Sequence, residues 1–223
     1  MTTDHHRLLA EDLLLLAFDD EAGRPRTATS GHLPLAIGGA LLAELALRDR
    51  LRLEVDQPRA SSRPTGDALL DEVAAQVREG SRRRTVKGWV RRVGRAGRRD
   101  QVRDRLVARG LLVPTTREVL GPVSMTRHHL ADPATVERLA SEVRGVLVDG
   151  RPTTPRTRAL AALVGATAVL NVLVERNDRR EARRQAERLA DSPTLPAAAR
   201  AVLHATRSAA ATSTGTAGST AGS

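Results

Sequence analysis

The sequence predicts a mainly α protein, a single globular helical domain with a few short strands, and three observations point there. The chain of 223 residues carries two aromatic side chains, Phe18 and Trp89, and no Tyr. Hydrophobic residues still make up 40% of it, so the core must be built from Leu, Val and Ala, a palette that favours packed helices. Stretches with apolar residues at three- and four-residue steps recur along its length.

The elements follow in order. His5 to Phe18 reads as a short helix with Asp12 on its wet side, and its leucine-rich end suits a strand. Asp19-Asp20-Glu21-Ala22-Gly23 is a turn, with Arg24 to Thr29 returning from it. Leu33 to Arg48 is a helix striped by Leu35, Leu41, Leu42, Leu45 and Ala46, in which Gly38 and Gly39 allow a neighbour to approach closely. Leu51 to Val55 alternates as a half-buried strand, and Gln57 to Arg63 is a polar loop. Thr65-Gly66-Asp67 caps a helix over Ala68 to Arg78.

A helix is predicted from Thr85 to Val93, a break at Gly94 to Gly97, and a second helix from Arg98 to Arg109 closed by Gly110. On the latter Val102 and Leu106 face inward, while Arg95, Arg99 and Arg103 line another side at four-residue steps. A hairpin follows, Arg117 to Leu120 and Val123 to Thr126 around Gly121-Pro122. Helices are then expected over 134–148, after Thr154-Pro155 through the apolar stretch ending at Val174, over 179–190 and over 196–208. The domain spans 1–208, and residues 209–223, only Ala, Thr, Ser and Gly, form a disordered tail.

Charge is concentrated. Between Ser81 and Gly110 lie twelve cations (Arg82, Arg83, Arg84, Lys87, Arg91, Arg92, Arg95, Arg98, Arg99, Arg103, Arg105 and Arg109) and two anions, Asp100 and Asp104. That excess of ten equals the net charge of the whole chain, so the remainder balances at 24 of each sign. Ten excess charges in thirty residues repel one another unless a polyanion relieves them. Arginine forks suit phosphate oxygens, and each basic residue near an anionic membrane contributes about 1 kcal/mol. All but one of the 36 basic residues are Arg, a bias that a GC-rich bacterial genome explains before any selection for phosphate does.

Other classes find less support. Cysteine is absent, which removes disulfides, thiolate metal sites and a Cys nucleophile. The pairs His5-His6 and His128-His129 point to opposite faces of any helix or strand and make no chelate; no metal or cofactor is expected. Asp19, Asp20 and Glu21 are explained by turn chemistry. GxSxG, P-loop and GxGxxG patterns do not occur, and no enzymatic activity is expected. The early leucine run is interrupted by carboxylates and the stretch Ala159 to Val174 is too short to span a bilayer, so a soluble or peripheral cytoplasmic protein is expected. Trp89, beside Lys87, Arg91 and Arg92, is either an interfacial anchor or a core residue beneath the basic helix. A sequence-independent nucleic-acid binder using the same segment is the alternative function. Against it, the segment offers only Gln101 for reading adenine and no aromatic platform for single strands.

Four stretches in this order and spacing carry a resemblance: Glu11 to Leu16 with the acidic turn, Gly39 to Arg48 running into Arg50-Leu51, Pro64 to Asp71 leading to Trp89-Val90, and Val102 to Leu112. Over roughly Leu8 to His204 the chain resembles the Golgi phosphoprotein 3 family. The resemblance implies a helical domain with a protruding hairpin, here Arg117 to Arg127, that supports homo-oligomerisation. It also implies peripheral attachment to a membrane (here the inner face of the cell membrane), phosphatidylinositol 4-phosphate binding in a shallow basic pocket, and contacts with cytosolic tails of membrane proteins. The headgroup candidates carried over are Arg95, Arg98, Arg99 and Arg103, with Arg91, Arg92 and Lys87 as a supporting basic surface. Thr29 and Gly38 stand where the eukaryotic pocket has a tryptophan and an arginine. The implied specificity is therefore for anionic headgroups in general rather than for one phosphoinositide.

Overall fold

The computed structural model describes residues 7–26, 31–55, 57–80, 84–95, 97–119 and 123–214. Within them ten helices surround one continuous apolar core, and the strands form three separate two-stranded antiparallel ladders. Helix α1 (Leu9–Leu16) leads into β1 (Phe18–Asp19) and β2 (Arg24–Pro25). The leucine-rich end of α1 is helical, not a strand. All eight of its residues are buried, and a helix wrapped by protein on every side needs no amphipathic pattern.

The same rule identifies the centre of the molecule. Helix α2 (Leu33–Leu47) buries twelve of its fifteen residues and packs against α1, α4 (Val86–Arg95) and α10 (Ala197–Thr214). Its glycines make this possible. A Cβ at Gly38 would overlap the Val90 carbonyl of α4, and one at Gly39 would overlap the Thr206 hydroxyl of α10. Gly94 of α4 answers with its own close approach to the Pro34 carbonyl, so α2 and α4 meet backbone to backbone.

β3 (Leu51–Glu54) pairs with β4 (Gln57–Ala60), a segment the sequence suggested was loop. Pro58 disguises it, yet Pro is tolerated on a strand with one free edge, and here it is buried opposite Leu53. Asp67 accepts bonds from Leu69 and Leu70 N–H at the start of α3 (Ala68–Glu79). Trp89 of α4 is 1% exposed, which assigns it to the core rather than to an interface. The Arg84 guanidinium lies 5.3 Å from the centre of its ring.

After Gly97, whose φ of 67° places it in the left-handed region, α5 (Arg98–Ala108) runs back across α1 and α2. Arg95 thus belongs to α4 and does not share a helix face with Arg99 and Arg103. The hairpin β5 (Leu112–Val119) and β6 (Val123–Leu130) is longer than the patterning suggested, because Leu112 and Val113 already pair with Leu130 and His129. Its turn at 120–122 lies outside the described residues.

Helix α6 (Pro133–Leu147) opens on Asp132. The long apolar stretch is divided into α7 (Pro155–Gly165) and α8 (Leu170–Leu173). At the break the Thr167 hydroxyl donates to the Leu163 and Val164 carbonyls, and Arg179 collects those of Asn171 and Val174. Helix α9 (Arg179–Ala190) follows, and α10 then runs on to Thr214. The expected tail therefore loses its first six residues to helix: Ala209 and Ala210 are buried, and residues 215–223 lie outside the described region. Among the described residues no helix is long and apolar enough to cross a membrane.

Candidate anion-binding site

The cationic segment separates into groups with different partners. Arg82 and Arg83 lie outside the described residues. Lys87 Nζ donates to Ser208 Oγ at 2.9 Å and Arg91 Nη2 to Thr212 Oγ1 at 2.9 Å, so both lean on α10 and neither meets an acid there. Arg92 and Arg95 are exposed and have no ion pair among the described residues. Arg105 reaches Glu11 and Asp67 at 3.2 and 2.6 Å, and Arg109 reaches Glu11 at 2.9 Å.

The four headgroup candidates are not brought together. Arg98 is 2% exposed, with Nη1 2.7 Å from Glu72 Oε2 and 2.7 Å from Gln101 Oε1, and Nη2 donating to Gln76 Oε1. This corrects its expected role: a side chain folded against α3 presents nothing to a surface ligand. The bond from Arg98 holds the Glu72 carboxyl below its ordinary range, outweighing the opposing effect of burial. Arg103 is bound to Asp100 and Asp104 at 2.9 and 2.7 Å. Arg99 is half exposed and, among the described residues, pairs with Asp100 alone, at 3.6 Å. Arg95 stands apart on α4.

Arg99 and Arg103 instead share a cleft of about 310 Å³ with groups outside the basic segment. Its floor is Leu14, Phe18 and Pro25; Arg24, Arg99, Asp100, Arg103, Thr126 and His128 rise around it. Arg24 projects from β2, is exposed, and has no ion pair among the described residues. Period-two alternation on β6 turns Thr126 and His128 to the same side. Burial, and after it the Arg103 charge, hold the His128 imidazole below its ordinary pKa, against a smaller opposing pull from Asp104. Three guanidinium groups thus line the cleft with one carboxylate, Asp100, and with Asp104 behind Arg103, over an apolar floor; the remaining positive charge suits an anion attached to something greasy. Arg24 and His128 escaped the sequence reading because they are far from the basic run. A register that pairs β1 with β2 and hangs β6 on Gly23 is what delivers them.

A larger groove of about 790 Å³ lies between α7, α9 and α10, floored by small residues such as Ala162, Gly165 and Ala186. Of its two arginines Arg207 is paired with Glu187 at 3.0 Å, while Arg183 donates to the neutral Asn171 side chain, so the groove is larger but holds fewer cations than the Arg24–Arg99 cleft. A third depression, about 520 Å³ beside β3 and β4, holds Arg50, Arg52, Arg59 and Arg63 with Asp49 and Glu54, and it is open and polar throughout. Among the described residues no cluster of three or more His, Asp or Glu could hold a metal ion.

The fold and site define a helical domain with a basic cleft at the root of a β-hairpin. Residues 9–206 match the family model of Golgi phosphoprotein 3 (GPP34), so the chain belongs to that family.

Proposed function

We propose that the protein is a non-enzymatic, peripheral membrane protein that binds anionic phospholipid headgroups at the inner face of the cell membrane. The observation that carries this reading is the cleft holding Arg24, Arg99 and Arg103 against Asp100 above Leu14, Phe18 and Pro25. Family membership supports it. The exposed Arg92 and Arg95 add long-range attraction without shaping a pocket. Gly38 sits where α2 and α4 touch, so an arginine there cannot complete the cleft, and selectivity among anionic lipids is loose.

Co-sedimentation with vesicles at two salt concentrations tests this. Neutral phosphatidylcholine vesicles are compared with ones containing phosphatidylglycerol, cardiolipin or phosphatidylinositol 4-phosphate, with duplex DNA in a parallel titration. All three anionic vesicles should pellet the protein at low salt and release it as salt rises. No pelleting with any of them sinks the reading. Duplex DNA outcompeting every vesicle would instead favour nucleic-acid binding through the same basic surface.

A further inference from the structure

We infer that anion binding in the Arg24–Arg99 cleft is coupled to uptake of a proton by His128, so that acidification tightens it. The inference rests on the cleft being the headgroup site. The backbone at His128 is fixed in place: its N–H donates to the Gly23 carbonyl at 3.0 Å, and on the other side of its strand it stands opposite Pro114. It lines the cleft with Arg24 of β2 and with Arg99, Asp100 and Arg103 of α5, while Asp104 acts on it from the next position of that helix. On its own strand it is flanked by Arg127 and by His129, whose Nδ1 lies 3.2 Å from the Asp20 carbonyl oxygen and 3.8 Å from its carboxylate. Asp19 and Asp20 are directed elsewhere, to the Ala22 and Leu130 amides. Strand β5 sets Val113, Pro114 and Thr115 beside it, none of which titrates.

In the empty cleft, burial and the guanidinium of Arg103 keep the imidazole neutral down to below its ordinary value of 6.5. A phosphodiester lying between Arg24 and Arg99 reverses that balance. It offsets the arginine charges and supplies an acceptor for an imidazolium N–H, so the occupied cleft holds the proton to a higher pH than the empty one. By linkage, affinity must rise as pH falls through the interval between the two values.

Phosphatidylglycerol vesicles are the probe, because a phosphodiester does not itself titrate near neutrality. Partitioning of the full chain measured at about pH 5.5 and about pH 8 should differ by about fivefold, the effect of one added charge at an anionic surface. His128→Gln should bind with the affinity wild type shows at the higher pH and lose the dependence; His129→Gln should keep it. Equal wild-type binding at both pH values, or a dependence that survives His128→Gln, overturns the inference and leaves the headgroup reading standing. Absence of binding at either pH removes both. NMR titration of the wild-type imidazoles with and without soluble short-chain phosphatidylglycerol provides a readout free of any variant. The His128 midpoint should move up with lipid, and an unmoved midpoint overturns the proposal.

Discussion

Arginines serve two separate purposes in this molecule, at opposite ends of α1. At its N-terminal end they meet buried acids. Glu11 is 0% exposed and takes the Leu8 amide, Arg105 and Arg109. Asp12 takes Arg7 and Arg156 at 2.6 and 2.7 Å; Glu44 takes the Leu9 amide, Arg48 and Arg156, at 2.9, 2.9 and 2.6 Å. Burial alone would weaken the hold of Arg156 on its proton, but Glu44 and Asp12 beside it strengthen that hold beyond an ordinary guanidinium. At the C-terminal end of α1, Arg24 and Arg99 face a cleft with one carboxylate and stay in contact with water. The difference lies in the supply of acid: where α1 and α2 present buried carboxylates the charge joins the chain together, and where carboxylates are scarce it is left over for a ligand. A basic run in sequence therefore divides by partner, not by position.

The largest effect should come from breaking the buried end. Glu44→Ala strips a partner from Arg156, Arg48 and the Leu9 amide at once, and leaving a buried ion-pair network short of one charge costs about 3–5 kcal/mol. Urea denaturation should show that loss, whereas Arg99→Ala should lie within about 0.5 kcal/mol of wild type. Similar stability for the two variants would erase the distinction. Next in size is Gly38→Ala, which forces a methyl against the Val90 carbonyl at the closest point of α2 and α4. Overpacking of this kind costs about 1–3 kcal/mol, read by the same denaturation.

Much of this architecture was legible in the sequence. Helix α9 falls on the predicted residues, α3 and α6 within about one residue of them, and Asp67 caps α3 as its position before Ala68 implied. The inward facing of Val102 and Leu106 is borne out. What patterning missed has a common cause. Helix α1 takes its structure from burial among distant segments, β4 from pairing with the adjacent β3 despite Pro58, and the α7–α8 break depends on Arg179 from the next helix. The site suffered most. Arg98 and Arg99 are adjacent and chemically identical, and only the helical phase of α5 against α3 decides that one is internal and the other exposed.

That phase sharpens the comparison at the exposed end. Arg24→Glu combined with Arg99→Glu should lower binding to phosphatidylglycerol vesicles by at least about tenfold at low salt, with an unchanged denaturation midpoint. Each reversal removes an attraction and adds a repulsion at the cleft. Arg92→Glu, away from the cleft, should produce a smaller drop that vanishes at high salt. Equal losses from the two would mean that diffuse charge, not the cleft, carries binding.

The smallest effect belongs to Arg98, which sits between the two populations: held by an acid like the first, yet that acid, Glu72, is half exposed. The Glu72 carboxyl titrates below its ordinary value of 4.5 in the folded protein, chiefly through its bond from Arg98. A depressed carboxylate contributes stability that is fully present above its unfolded value and disappears as pH falls through the folded one. Wild type should therefore lose part of its stability on going from about pH 5 to about pH 3, and Glu72→Gln should lose less over that window. Solvent at Glu72 keeps the difference under about 1 kcal/mol. Because Gln101 and Gln76 still accept from Arg98 in the variant, binding to anionic vesicles at neutral pH should be unchanged. A shared loss of binding would mean that the Arg98–Glu72 pair positions Arg99, joining the structural and ligand-facing arginines that the rest of the molecule keeps apart.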